Sequence, residues 1–184
     1  MATDNFEPKA RKGDWMQTAS GRAFWPMDPR PEEVDIEDIA HALSNMCRYA
    51  GHCRRFYSVA QHSVLVSRAL PSDLALWGLL HDASEAYLVD VPRPVKPFLD
   101  GYKAAEGRVM EAIVMRFNLM PAEMPAEVKR VDDAILHDEA LQLMQRPPMG
   151  WHLPEPPLGI RIEPWSPDYA RTVFHREFRM LTHG

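Results

Sequence analysis

The stretch LALWGLLHDASEAYLVDVPRPVK, residues 74–96, decides how this chain folds. It begins with seven apolar residues, continues into an adjacent imidazole and carboxylate at His81 and Asp82, and ends among closely spaced prolines. The apolar run and the capping residue Ser72 predict a helix that reaches about Tyr87. The prolines after it predict a stiff, extended loop over 90–97.

The end of this predicted helix carries three side chains that bind metals in other proteins. His81 and Glu85 are four residues apart and Asp82 and Glu85 are three apart, so all three can converge on one point. The apolar run places that point deep in the domain, where a buried imidazole and carboxylate need a partner such as a metal ion. The alternative is that His81 and Asp82 only cap the helix, as the second dipeptide His137-Asp138 would do.

The rest of the chain also predicts helices rather than a sheet. Asp35 and Ser58 are suited to cap two of them, and Ser166 followed by Pro167 is typical of a helix start. A short hairpin is expected around Ser20-Gly21, with a short strand at 159–163 inside a proline-rich loop. The predicted helices cover about 35–51 (ending at Gly51), 58–70, 72–87, 101–119, 126–144 and 168–182.

These elements predict an all-α fold, a bundle of about six helices with a small N-terminal hairpin. The 184 residues are about one domain's worth, with a core over about 35–144, the proline-rich loop over 147–167 and a helix over 168–182. Residues 1–184 are therefore expected to form a single domain.

Composition excludes several classes of function. The net charge is −5 without a basic cluster, which argues against duplex nucleic acid or an anionic membrane as partner. The longest apolar run is too short to span a membrane, and the N-terminus does not resemble a signal peptide. We expect a cytoplasmic protein in which Cys47 and Cys53 are reduced, although one disulfide between them stays open.

A later helix offers a further carboxylate. Val128, Ile135 and Leu136 form its apolar face, and Asp132 lies on that face at spacings of three or four residues. Asp133 lies about 100° further round, where water can solvate it. A buried Asp132 is therefore expected to need a cation.

The sequence resembles the HD-domain metal-dependent phosphohydrolases, in which a His, an adjacent His-Asp and a distant Asp bind one metal ion. The resemblance covers about residues 20–144. It implies that His62, His81, Asp82 and Asp132 bind one divalent ion per chain. The ligand types do not distinguish Zn, Co, Mn, Fe, Ni and Mg.

Within that superfamily the string from His81 to Lys96 is closest to small nucleotide-cleaving members, the deoxyribonucleoside 5′-monophosphatases and the dATP triphosphohydrolases. The resemblance implies that Glu85 and Asp90 hold and activate the attacking water. It also implies that Arg48 and Tyr49, before the first ligand, contact phosphate or sugar and stack on the base. Lys96 on the proline loop offers an additional positive charge for phosphate.

The expected function is hydrolysis of the 5′ phosphoester of a deoxynucleotide. The first choice is a triphosphate such as dATP, released as nucleoside plus triphosphate, and the alternative is a monophosphate. Two hypotheses from other classes are a di-iron oxygenase of the same fold and a non-catalytic metal- or nucleotide-binding module. The resemblance implies a small-molecule nucleotide as partner and assembly into homo-oligomers.

Overall fold

The computed structural model describes residues 11–183 and confirms the all-α class. Four of the helices lie close to their predicted positions, while the predicted 72–87 helix is split into two. The helices are α1 (Ile36–Asn45), α2 (Val59–Arg68), α3 (Ala75–Leu80), α4 (Glu85–Leu88), α5 (Tyr102–Phe117), α6 (Ala126–Leu143) and α7 (Pro167–His183).

The N-terminal hairpin forms as predicted. Strand β1 (Met16–Gln17) pairs antiparallel with β2 (Ala23–Phe24). Its turn is fixed to α1, because the Asp38 carboxylate accepts hydrogen bonds from the Ser20 amide at 2.6 Å and from the Ser20 hydroxyl at 2.8 Å. The hairpin therefore packs against the helical core.

Helix α1 begins as predicted but ends early. The Asp35 side chain accepts from the Glu37 amide and caps its N-terminus. The helix ends at Asn45, not near Gly51, because the next residues turn into extended backbone and pair with the segment before α2. The Arg48 amide donates to Tyr57 at 2.9 Å in this pairing, which holds Arg48 beside the start of α2.

The predicted helix over 72–87 is wrong in two respects. Leu74, not Ser72, precedes its first residue, and a tight turn over 81–84 separates α3 from α4. Backbone hydrogen bonds of the i to i+3 type form this turn, such as the one from the Glu85 amide to the Asp82 carbonyl at 3.0 Å. This turn contains His81 and Asp82, and the backbone of His81 keeps helical dihedral angles (φ −60°, ψ −33°).

Two loop predictions also need correction. Residues 90–97 are not fully extended, because a turn precedes a short 3₁₀ helix over Lys96–Phe98. The predicted strand at 159–163 does not form. The Gln142 side chain instead bonds the carbonyl of Ile160 at 2.7 Å and the amide of Ile162 at 2.9 Å, so these groups need no strand partner.

Helix α2 lies at the centre of the molecule and packs against α1, α3, α6 and α7. Its Ser58 cap forms as predicted, accepting from the Gln61 amide at 3.1 Å. Gly78 lets α3 approach α2 closely, because a Cβ atom there would lie 2.9 Å from the Ser67 Cα. This close contact brings His81, at the end of α3, next to His62 on α2.

Candidate metal centre and the adjoining pocket

Three helices bring two imidazoles and one carboxylate to a single point. His62 lies on α2, His81 follows α3 and Asp132 lies on α6. The His62 Nε2 atom is 3.2 Å from Asp132 Oδ1 and 3.3 Å from His81 Nε2, and the third distance, from His81 Nε2 to Asp132 Oδ1, is 3.8 Å. These three residues form a group able to hold a metal ion.

Hydrogen bonds on the far side of both rings leave their Nε2 atoms free to act as ligands. His81 Nδ1 lies 2.7 Å from the Gly78 carbonyl, which can only accept, so Nδ1 is the donor. His62 Nδ1 lies 2.7 Å from Glu139 Oε1. In the neutral rings each Nε2 therefore carries a lone pair, as a metal ligand requires.

The electrostatics of the cluster favour a positive charge at its centre. Burial opposes protonation of His81, but Asp82 and Asp132 outweigh it and raise its pKa well above the ordinary value. Burial likewise opposes ionisation of Asp132, but the two imidazoles outweigh it and lower its pKa. These shifts show that a positive charge at this point is stabilised, and two imidazoles with a carboxylate are a donor set that a divalent ion could use.

Asp82, the predicted fourth ligand, lies beside this group. Its Oδ2 atom is 3.3 Å from His81 Nε2 and 3.7 Å from His62 Nε2. It also faces the Arg48 guanidinium at 3.5 Å. The His81 charge outweighs burial and lowers the pKa of Asp82, so this carboxylate is ionised and available as a ligand.

The structure separates Asp132 from its neighbour in sequence. Asp133 forms ion pairs with Arg93 at 2.9 Å and with Lys129 at 2.5 Å, and it does not join the imidazoles. His137 and Asp138 also lie outside the metal-ligand group, and the Asp138 carboxylate binds backbone amides of the proline-rich segment.

Glu139 is a central residue of the site to which the sequence assigned no role. It is completely buried, and besides His62 it binds the hydroxyls of Tyr57 at 2.9 Å and Tyr49 at 2.5 Å, and Arg48 at 3.2 Å. Burial would raise its pKa, but Arg48 and His62 outweigh burial and lower it to about 2. An ionised Glu139 fixes the orientation of the His62 ring, as carboxylates that hydrogen-bond to ligand histidines do in metal sites. The sequence does contain a signal for this position: Glu139 follows Asp132 by seven residues, about two helical turns, so both lie on the same face of α6.

Glu85 and Asp90, the predicted water-activating pair, both line a cavity of about 600 Å³ next to the ligands. Glu85 is buried, and its Oε2 atom has no hydrogen-bond partner among the described residues. Burial and the charges of Asp82 and Asp90 raise the pKa of Glu85 well above its ordinary value. Burial also raises the pKa of Asp90. Both carboxyl groups therefore accept protons readily.

Lys96 contacts the same pocket but has acidic partners. Its Nζ atom lies 2.9 Å from Glu106 and 3.6 Å from Glu85. Burial would lower the pKa of Lys96, but the bond to Glu106 and the charge of Glu85 raise it. Lys96 thus stays charged and brings positive charge next to Glu85.

Arg48 and Tyr49 also line the cavity. Arg48 is buried between Glu139 and Asp82, and its Nε atom has no partner within the part of the chain described. Tyr49 has a left-handed backbone (φ 55°), and its hydroxyl is held by Glu139. The cavity is completed by Trp151, His152 and Leu153 from the proline-rich segment, which the sequence did not connect with the site.

None of the helices within residues 11–183 combines the length and the apolar character needed to cross a membrane.

Comparisons with known proteins identify two relatives. The uncharacterized protein YfdR of Escherichia coli (strain K12) is 36% identical over 174 residues, covering 91% of this chain and 96% of YfdR. An uncharacterized protein of Rhodobacter capsulatus is 41% identical over 129 residues, covering 65% of each chain. No model of a known protein family matches the sequence. Because the similarity to YfdR extends over nearly the whole of both chains, this protein belongs to the same family as YfdR.

Proposed function

We propose that this protein is an HD-type metal-dependent hydrolase that cuts the 5′ phosphoester of a deoxynucleotide. The observation that carries the proposal is the position of the buried, unpartnered Glu85 carboxylate oxygen in a cavity that also contains Asp132 of the metal-ligand group. A carboxylate that could accept a proton would then share one cavity with the proposed metal site, which supports the proposal.

The residues of the site would have different roles in phosphoester hydrolysis. A divalent ion held by His62, His81, Asp82 and Asp132 would polarise a phosphoryl oxygen and acidify water. Glu85, with Asp90 nearby, would take the proton of the attacking water, because a carboxyl group with a raised pKa is a better base. Arg48, which lines the cavity, would donate hydrogen bonds to a phosphoryl oxygen.

The length of the phosphate chain divides the proposal into two branches. A triphosphate such as dATP is the first choice, and Lys96 and Arg93 on the cavity wall would face its outer phosphates. The alternative is a monophosphate. It is favoured by the fact that Lys96 is already paired with Glu106 and Arg93 with Asp133, which leaves less positive charge for two additional phosphates. Both reactions attack the same phosphorus atom.

An assay across nucleotides tests the proposal. The chelator-treated protein is supplied with Mn²⁺ or Co²⁺ and incubated with each deoxynucleoside mono- and triphosphate, and the products are separated by liquid chromatography. We expect deoxynucleoside from one substrate class and none without added metal. Triphosphate release identifies the first branch and orthophosphate release from monophosphates the second. No turnover of any nucleotide would contradict the proposal.

A Glu85→Gln variant separates this proposal from a non-catalytic binding module. The hydrolase proposal expects the rate to fall by at least about 10²-fold, the lower end of general-base contributions, with metal content unchanged. A di-iron oxygenase would need a second set of ligands, and across residues 11–183 the His62–His81–Asp132 group is the one metal-ligand cluster found. A cytoplasmic location and assembly into homo-oligomers complete the proposal.

A further inference from the structure

The proline-rich segment supplies an aromatic ring to the cavity. The Trp151 ring centroid lies 5.9 Å from that of Tyr49, and the two planes are tilted by 46°. Both residues line the cavity that also contains Asp132. Trp151 remains 39% exposed even though it lies against Tyr49.

We propose that Trp151 is the surface on which the base of the nucleotide stacks, with Tyr49 supporting the indole from its other side. The inference rests on the proposed function, because it identifies how that same site selects a substrate with a planar ring. Aromatic side chains bind bases of every kind by stacking.

Tyr49 is held in place before any ligand binds. Its backbone and that of Ala50 are left-handed, with φ values of 55° and 50°, which is unfavourable for residues with a side chain. Its hydroxyl is bound to the buried Glu139. Strained backbone that the surrounding structure holds in place occurs preferentially at binding sites.

Trp151 is connected to the same helix as the metal ligands. The Asp138 carboxylate on α6 accepts hydrogen bonds from the amides of Leu158 at 2.9 Å and Gly159 at 3.1 Å. Glu155, nearer to Trp151, lies 3.9 Å from Arg130 on the same helix. The segment that carries Trp151 is thus fixed to α6, which also carries Asp132.

The remaining lining of the cavity fits a ligand with one charged and one apolar part. Besides its charged residues, the lining includes Ala50, Leu136 and Leu153 together with the two aromatic rings. For a base to fit between two parallel aromatic rings, the planes of those rings must be about 7 Å apart, which is twice the optimal contact distance between carbon atoms. Since the centroids of Tyr49 and Trp151 are only 5.9 Å apart, the base would lie on the side of Trp151 that does not contact Tyr49.

Binding of ligand fragments to the metal-loaded, full-length protein tests the inference. Deoxyadenosine carries the base without phosphate, and 2-deoxyribose 5-phosphate carries phosphate without base. We expect Trp151→Ala to weaken deoxyadenosine binding by about 5–150-fold, the usual effect of losing one stacking side chain, as measured by calorimetry. Binding of 2-deoxyribose 5-phosphate should be unchanged, and Trp151→Phe should retain most of the deoxyadenosine affinity.

Trp15 provides a matched control, because it is an exposed tryptophan outside the cavity lining. Trp15→Ala should change neither affinity. The inference is overturned if Trp151→Ala binds deoxyadenosine as tightly as the parent protein, or if it weakens both fragments equally, as a structural role would. Selective loss of deoxyadenosine binding in a protein that hydrolyses no nucleotide would support this inference and contradict the proposed function.

Discussion

The Nε2 atoms of His62 and His81 lie 3.3 Å apart, and the other nitrogen of each ring is bound to an acceptor. Two neutral imidazoles arranged in this way direct lone pairs at each other, which is unfavourable unless a positive charge lies between them. Asp132 adds a third electron-rich atom at 3.2 Å from His62. His62 is a buried residue of α2, so a metal ion bound at this point would contact the core of the protein directly.

The first prediction concerns the two neighbouring aspartates of α6. Asp132→Asn removes a charged ligand. We therefore expect its affinity for Mn²⁺ to fall by more than about 100-fold, because mutating residues that only hydrogen-bond to a metal ligand already costs up to about 100-fold. Asp133→Asn is the control, because Asp133 pairs with Arg93 and Lys129 and does not belong to the group formed with the two imidazoles. Calorimetric titration measures both variants. Equal affinities in the two variants would contradict the ligand assignment.

The second prediction concerns Glu139 as the residue that positions His62. Glu139→Gln should lower metal affinity by about 10–100-fold, because the amide holds the ring less firmly than a carboxylate. It should also reduce the free energy of unfolding by about 3–5 kcal/mol, since Arg48 loses its buried partner. Metal titration and urea unfolding measure the two effects.

Glu127→Gln serves as the control for Glu139. Glu127 lies on the same helix but pairs with Arg130 away from the imidazoles. We expect this variant to keep both metal affinity and stability. A Glu139→Gln protein with parental metal affinity would show that the carboxylate does not position the ligand.

The sequence predicted much of this arrangement. Side-chain caps at Asp35 and Ser58 are local signals, since each depends on a hydrogen bond within three residues, and both form. The apolar face of α6 predicted that Asp132 joins the site, and it does. The expected contrast with a solvated Asp133 is wrong, because the side chains of Asp132 and Asp133 are 16% and 13% exposed and Asp133 is held by ion pairs. The break between α3 and α4 was missed because no glycine or proline marks residues 81–84, and a turn of i to i+3 bonds replaces the helix there.

The unpredicted parts of the site depend on contacts between distant segments. Trp151 meets Tyr49 across more than a hundred residues, and no periodicity relates the two. Glu139 is recognisable as part of the site only when Arg48, Tyr49 and Tyr57 are seen around it. Charged residues are rarely fully buried without partners, so a sequence alone favours a solvated Glu139.

The third prediction is a pH dependence of stability that comes from Glu85. Burial and neighbouring carboxylates raise its native pKa well above the ordinary 4.5. The native state therefore keeps this proton to higher pH than the unfolded chain. Its contribution to stability is complete below about pH 4.5 and is lost as the pH rises through the native pKa. Glu85→Gln should remove this loss in the metal-free protein.

Thermal unfolding of the metal-free protein from about pH 5 to about pH 9 measures this effect. We expect the Tm of Glu85→Gln to decline less than that of the parent over this range. Glu123→Gln, at an exposed position, should follow the parent curve. Parallel curves for the parent and Glu85→Gln would show that Glu85 has an ordinary pKa.

The fourth prediction uses Lys96 to shift the pH dependence of hydrolysis. The Lys96 charge, 3.6 Å from Glu85, lowers the pKa of that carboxyl group. Lys96→Met should therefore raise the pKa of Glu85 and move the acidic limb of the pH–rate profile to higher pH. Lys103→Met, an exposed lysine on α5, should leave the profile unchanged. A shift to lower pH, or an equal shift in both variants, would argue against Glu85 as the proton acceptor.

The metal content of the purified protein tests the account most directly. The protein is purified without chelator, reconstituted with excess Mn²⁺ or Co²⁺, freed of unbound ions and analysed by inductively coupled plasma mass spectrometry. Our account predicts about one divalent ion per chain, because the four proposed ligands make up a single metal site. A protein that retains no ion before or after reconstitution would contradict it.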